Sequence, residues 1–225
     1  MQCLRPGVLV ATLLLSATAA ATDREWITYA RLLEITRLDR FHAAPPAERD
    51  KVRLLGTVKP NNPAIAPSSL VFTVVRGNEK KRIAVNPDGS FDPAIDPAWV
   101  KDNPRVLTSM PEGEKAGFSF VALPVLPAGT RFDYASLMAG VRQGNALVKS
   151  QGGLLRFMMP TFVGIMLFYP AGQAASATIH GPQGERIVST DANGVLRLPL
   201  DEALWKSGAQ VTLSQRPQAA DFLVD

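Results

Sequence analysis

The side chains able to do chemistry are few in this chain. Two histidines occur in 225 residues, His42 and His180, and the only cysteine is Cys3. Neither histidine stands in H-E-x-x-H or another ligand spacing, so no metal and no cofactor is expected. Asp88, Asp92 and Asp96 are carboxylates at even spacing that calcium could use, but the spacing is not that of an EF-hand loop. Asp88 is better explained by a turn with Gly89, and Asp96 and Asp201 by capping short helical turns toward Trp99 and Leu204. A paired-carboxylate hydrolase needs two acids facing one cleft, and the sequence places no two so. No G-x-S-x-G, P-loop or G-x-G-x-x-G is present, and Gly140 and Gly144 read as close packing or a weak helix end. No catalytic, cofactor-binding or metal residue is therefore assigned.

Aromatic residues remain. Tyr29 and Tyr134 read as core-edge rings whose hydroxyls reach polar partners, in preference to a paired phenol at a site. Trp99 and Trp205 have two readings, a plug at the end of a sandwich or a platform that stacks a sugar or anchors a partner. Lys80-Lys81-Arg82 is the densest basic spot and reads as a solvated strand end or hairpin. No basic stripe with interleaved aromatics occurs, which argues against a nucleic-acid partner.

What positions these residues is written twice. Asn86–Met110 and Asp191–Gln215 align without a gap 105 positions apart, placing Gly89 on Gly194, Asp96 on Asp201 and Ser109 on Ser214. Ile27–Leu33 lies on Phe132–Met138 at the same offset, while Val52–Pro60 matches Phe162–Pro170 at 110. The slip opens and closes in loops, as in a diverged duplication. The expected plan is residues 22–123 as a first unit, 124–129 as linker and 130–225 as a second unit.

Residues 1–21 are a different object. Arg5 precedes the apolar run Val8–Ser16, and Ala17-Thr18-Ala19 or Ala19-Ala20-Ala21 offers a small-x-small cleavage site. This is the pattern of a secretory signal peptide, too short to span a bilayer. Cys3 lies before the apolar run and so is not a lipid-bearing cysteine. The expected location is periplasmic or secreted. Without Arg5 the basic excess falls to three, a mild charge.

Each unit is expected to open with an amphipathic helix capped by Thr28 or Asp133. Tyr29, Leu32, Leu33 and Thr36, or Tyr134, Leu137, Met138 and Val141, form the buried stripe, with Arg31, Glu34 and Arg37 on other faces. About six short strands follow, with Asx-Gly turns at Asp88-Gly89 and Asn193-Gly194. Leu154–Tyr169 is apolar but is interrupted by Arg156, Pro160 and Gly164, so it is read as leading into a covered strand, with at most weak membrane-surface contact. The fold class is α+β, mainly β: two tandem repeats, each a helix followed by a small antiparallel β-sandwich.

The motifs ITYARLLEI, IAVNPDGSFDPAI, KDNPRVLTSMPEG, FDYASLMAGV, YPAG and TLSQRP resemble a family of secreted proteobacterial proteins catalogued as a domain of unknown function. The Asx-Gly turn before an alternating strand is also similar to transthyretin-like sandwiches. The family implies export and no assigned activity. The function expected is a non-enzymatic binding or structural module of the cell envelope, its partner an envelope protein or polymer. A chaperone-like carrier of another envelope protein and a hydrolase acting on envelope glycans or esters are the alternatives.

Overall fold

The computed structural model describes residues 23–150 and 159–225. The signal peptide expected at 1–21 lies outside the described residues, as does Leu154–Met158 of the apolar run. The chain is mainly β. Each half begins with a short strand, not a helix: β1 (Arg24–Thr28) and, in the second half, β8 (Arg131–Asp133). Helix α1 (Tyr29–Ile35) follows β1 at once, and α2 (Leu38–Ala43) follows α1. The first half continues through β2 (Val52–Pro60), β3 (Val71–Arg76), β4 (Glu79–Ala84) and β5 (Ser90–Phe91). It ends with α3 (Pro97–Asp102), β6 (Arg105–Thr108) and β7 (Ala116–Pro124). After β8 come α4 (Tyr134–Ser150), β9 (Phe162–Phe168), β10 (Ser176–Gly181) and β11 (Gly184–Ser189). The chain closes with β12 (Val195–Pro199), α5 (Glu202–Lys206), β13 (Gln210–Leu213) and β14 (Ala219–Val224).

The sheets are antiparallel and their strand orders correspond. A four-stranded sheet β1-β6-β3-β4 and a three-stranded sheet β5-β2-β7 stand in the first half. In the second half the orders are β8-β13-β10-β11 and β12-β9-β14. Inside the first half, Phe72 of one sheet packs on Phe91 and Phe118 of the other, with ring centroids 5.0 and 6.0 Å apart. The two sheets thus face each other across one apolar core, as alternating strands with one buried face require.

Paired hydrogen bonds recur 105 positions apart. The Tyr29 hydroxyl donates to Ala94 O and the Tyr134 hydroxyl to Pro199 O, both at 2.7 Å, and both residues are 0% exposed. The Val71 amide donates to Ser109 Oγ at 2.9 Å, and the Ser176 amide to Ser214 Oγ at 3.0 Å. Asp96 and Asp201 cap α3 and α5 by accepting from Ala98 N and Ala203 N, each at 2.8 Å. Gly89 and Gly194 turn at φ +84° and +77°, and a Cβ there would sit 2.4 and 2.5 Å from the carbonyl oxygens of Val58 and Tyr169. Both the left-handed conformation and the close approach require glycine.

Four readings of the sequence need correction. The match of Val52–Pro60 to Phe162–Pro170 is one residue out. Val58 N donates to Gly89 O and Tyr169 N to Gly194 O, both at 2.9 Å, so the corresponding strand residues lie 111 apart. A slip of one would turn each side chain to the other face. The linker starts later than expected, because β7 runs to Pro124, which pairs with Val52. Thr28 has extended N-cap geometry, but its side chain makes no capping bond. The first helix breaks at Arg37, which adopts φ 58°, ψ 12°, while the buried Thr36 hydroxyl turns back to Leu32 O at 2.7 Å. A threonine satisfied this way weakens a helix end.

The Tyr134 hydroxyl also accepts from Asp201 N at 2.9 Å. Tyr134→Phe is expected to cost about 1–3 kcal/mol, because one bond is lost and one amide is left unpaired. Burial raises this phenol above its ordinary 10.0. The unfolded chain therefore ionises first, and stability present below that pH falls as pH climbs past it. Urea unfolding across this range should show a shallower alkaline loss in the variant than in the parent.

Candidate functional site

An apolar recess lies where the halves meet. Val52 and Leu54 of β2 and Phe120 and Ala122 of β7 share one sheet face, with Leu54 opposite Ala122 in the ladder. The same face carries Val58 and Phe118 farther along, where it belongs to the first core. Val52 instead joins the second core, and Leu54 packs against both. Helix α4 roofs this end with Gly144, Leu147 and Val148, while Met159 and Phe162 form the far wall. Arg37 and Phe41, at the junction of α1 and α2, complete the rim. A narrow space of about 40 Å³ remains.

Two features hold α4 in place over the sheet. Gly140 and Gly144 present backbone where a side chain would collide. A Cβ at Gly140 would lie 2.8 Å from Lys51 O, and one at Gly144 would lie 2.8 Å from the Phe162 ring. Between them, Gln143 reaches the loop before β2. Its Oε1 accepts from Lys51 N at 2.7 Å, and its Nε2 donates to Asp50 Oδ1 at 2.9 Å and Ala47 O at 3.1 Å. The linker adds a bond from Val125 N to Lys51 O at 2.9 Å.

The residues singled out in the sequence are dispersed. His42 sits in α2, half-buried beside Phe41, with its pKa lowered by burial and by the Arg49 charge. His180 is exposed on β10, 3.3 Å from Glu185. Asp88 accepts from Ser90 N at 2.9 Å and Ser90 Oγ at 2.7 Å, which holds its carboxyl below the usual range. Asp92 is exposed and pairs with Arg53, and Asp96 is spent as a cap. Among the described residues no group of three or more His, Cys, Asp or Glu is placed to hold a metal ion.

The tryptophans divide. Trp99 is buried against Tyr29 with ring centroids 5.5 Å apart, and the Lys81 ammonium lies 4.8 Å above it. Its indole N–H has no hydrogen-bond partner among the described residues. Trp205 is half-buried, stacked under the Arg142 guanidinium at 3.9 Å, and it lines a shallow groove with Leu126, Pro127 and Ala139. Of the two, Trp205 is the one partly open to solvent.

The outer strands differ in the same way. Lys80 and Arg82 of β4 share a face at the edge of the first large sheet, and the corresponding positions on β11 are Glu185 and Ile187. Ile187 is 61% exposed, the most exposed large apolar side chain among the described residues. Thr178 lies opposite it in the ladder, and Thr212 next across the sheet. Sequence reasoning missed Arg37, Gln143 and Ile187. The helical spacing puts Arg37 on another face of the first helix, and nothing local marks a glutamine that binds a loop more than ninety residues away.

Among the described residues no helix is long and apolar enough to cross a membrane. No family model, curated protein or solved structure matches the chain.

Gln143→Ala removes three hydrogen bonds between the halves and is expected to lower Tm by about 2–6 °C. Gly140→Leu drives a side chain into Lys51 O and should do more, splitting one calorimetric transition into two. A single unshifted transition in Gly140→Leu would show that α4 does not couple the halves.

Proposed function

We propose that this protein is an exported, non-enzymatic binding module of the cell envelope, built from two copies of one helix-and-sheet unit. The duplication reading is supported by the matching strand orders and by tyrosine, serine and aspartate bonds that recur at one offset. The periplasmic or secreted location is supported by the leader pattern at residues 1–21.

Ile187 carries the binding reading. An open strand edge invites pairing with another chain, and charged side chains are the ordinary protection. The first unit keeps that protection on β4, whereas β11 replaces Arg82 with an exposed isoleucine beside a threonine row. A partner that adds a strand beside β11 would gain main-chain hydrogen bonds and cover Ile187. Burying that side chain is worth about 1.5–3 kcal/mol.

The test is Ile187→Lys, which gives β11 the kind of charge found on β4. The variant should keep its Tm, because the side chain is exposed. In paired pull-downs from the native envelope, it should lose at least about tenfold of whatever the parent captures specifically. A folded partner supports a scaffold, and an unfolded client supports the carrier reading. Equal capture by parent and variant overturns the role of this edge.

A further inference from the structure

We infer that the pocket between the β10–β11 turn and α5 receives an aromatic side chain, an indole foremost, from a polypeptide strand that adds to β11. The inference deepens the edge reading of β11 and rests on it for the strand. The first half holds the template. Lys81 of β4 stands opposite buried Val74 in the ladder, so it rises from the inner face of the sheet edge. Its ammonium ends 4.8 Å from the ring centroid of Trp99, the third residue after the cap of α3. That indole is 2% exposed.

In the second half the cation is kept and the ring is gone. Arg186 of β11 stands opposite buried Ile179, on the same inner face. The third residue after the cap of α5 is Leu204, and the last residue of β10 is Gly181 where β3 ends in Arg76. Leu204 leans onto that glycine: a Cβ there would lie 2.7 Å from its Cδ2. Outside it a pocket of about 190 Å³ is left, with Ile179, Gly181, Gly184, Arg186, Asp201 and Leu204 in its lining. A cavity of about 150 Å³ accepts a benzene ring, so the space suits one aromatic side chain.

The side chains at the pocket set the ligand class. Among the described residues Arg186 makes no ion pair; the neighbouring Glu185 lies beside His180 at 3.3 Å. A free guanidinium stacks on an aromatic face. Asp201 spends Oδ1 on the amides of Ala203 and Leu204, at 2.8 and 3.1 Å, which leaves Oδ2 to accept an indole N–H. Gly184, Glu185 and Arg186 put the pocket at the first residues of the open edge strand. Side chains alternate along a strand. A strand that covers Ile187 with one residue therefore turns the next toward Arg186.

The test is an NMR titration of the isotope-labelled full mature chain. N-Acetyl-tryptophanamide should shift the Gly181 and Gly184 amides saturably, and N-acetyl-leucinamide should not. The peptide Thr-Val-Thr-Trp-Thr-Val-Thr adds main-chain bonds and should bind at least about tenfold tighter than the amide. Equal affinities would mark a free aromatic ligand and overturn the strand as its source. Leu204→Trp fills the pocket from within, as Trp99 does in the first half, and should abolish the titration with Tm unchanged or higher. Arg186→Gln alters an exposed side chain, should keep the fold, and should weaken N-acetyl-tryptophanamide about two- to fivefold. Ile187→Lys should weaken the peptide alone. Unchanged peptide affinity in that variant, with the amide still bound, overturns the edge and leaves the pocket. Binding that survives in Leu204→Trp, unchanged affinity in Arg186→Gln, or no saturable shift in the parent overturns the pocket itself.

Discussion

A phenol hydroxyl inside an apolar core must find a partner, and two such hydroxyls organise this molecule. Tyr29 and Tyr134 each begin a helix, and each backbone amide is already taken by a carbonyl preceding a strand, Pro104 O or Ala209 O. With the ring enclosed, the hydroxyl has one place to go, the carbonyl just before the next short helix. The side chain therefore fastens three segments: the helix start, the strand beside it and the crossing between sheets. Apolar burial supplies most of the stability but tolerates sliding. A buried polar bond does not tolerate it, because moving by an ångström leaves the hydroxyl unpaired.

The same economy governs the junction of the halves. Gly140 lets backbone approach backbone, Gly144 makes room for the Phe162 ring, and one glutamine satisfies an amide, a carboxylate and a carbonyl of the opposing loop. Because the face of β2 and β7 passes from one core to the other, neither half buries its apolar surface alone. Leu54 stands at the point of transfer.

Much of this was legible in the chain. The turn glycines, the capping aspartates and the helical stripes are local, and local backbone constraint leaves a mark on residue type. The repeat also brought out the tyrosines, because each carries the same neighbours. What was not legible was long-range or weakly marked. The edge strands β1 and β8 are too short to show alternation. The one-residue misregister of β2 against β9 arose because both strands are apolar on successive positions, so the pattern has no phase to read. Arg37 looked like a surface charge because helix periodicity assumed a helix that continues, and Thr36 ends it. The candidate crevice was invisible for a related reason. Its walls come from both halves, and no single stretch of sequence contains it.

The pairing of β1 with β6 has a bearing on how such a chain is made. Arg24 meets Thr108 across that ladder, so the opening strand waits for a segment more than eighty residues behind it. A polypeptide that emerges amino end first exposes β1 long before its neighbour exists. The first half can fray into local hairpins such as β3–β4, but it has no route to closure until nearly all of it is free. That delay keeps the leading portion unfolded while the rest of the half is made. It also exposes an unpaired strand to whatever is nearby in the meantime.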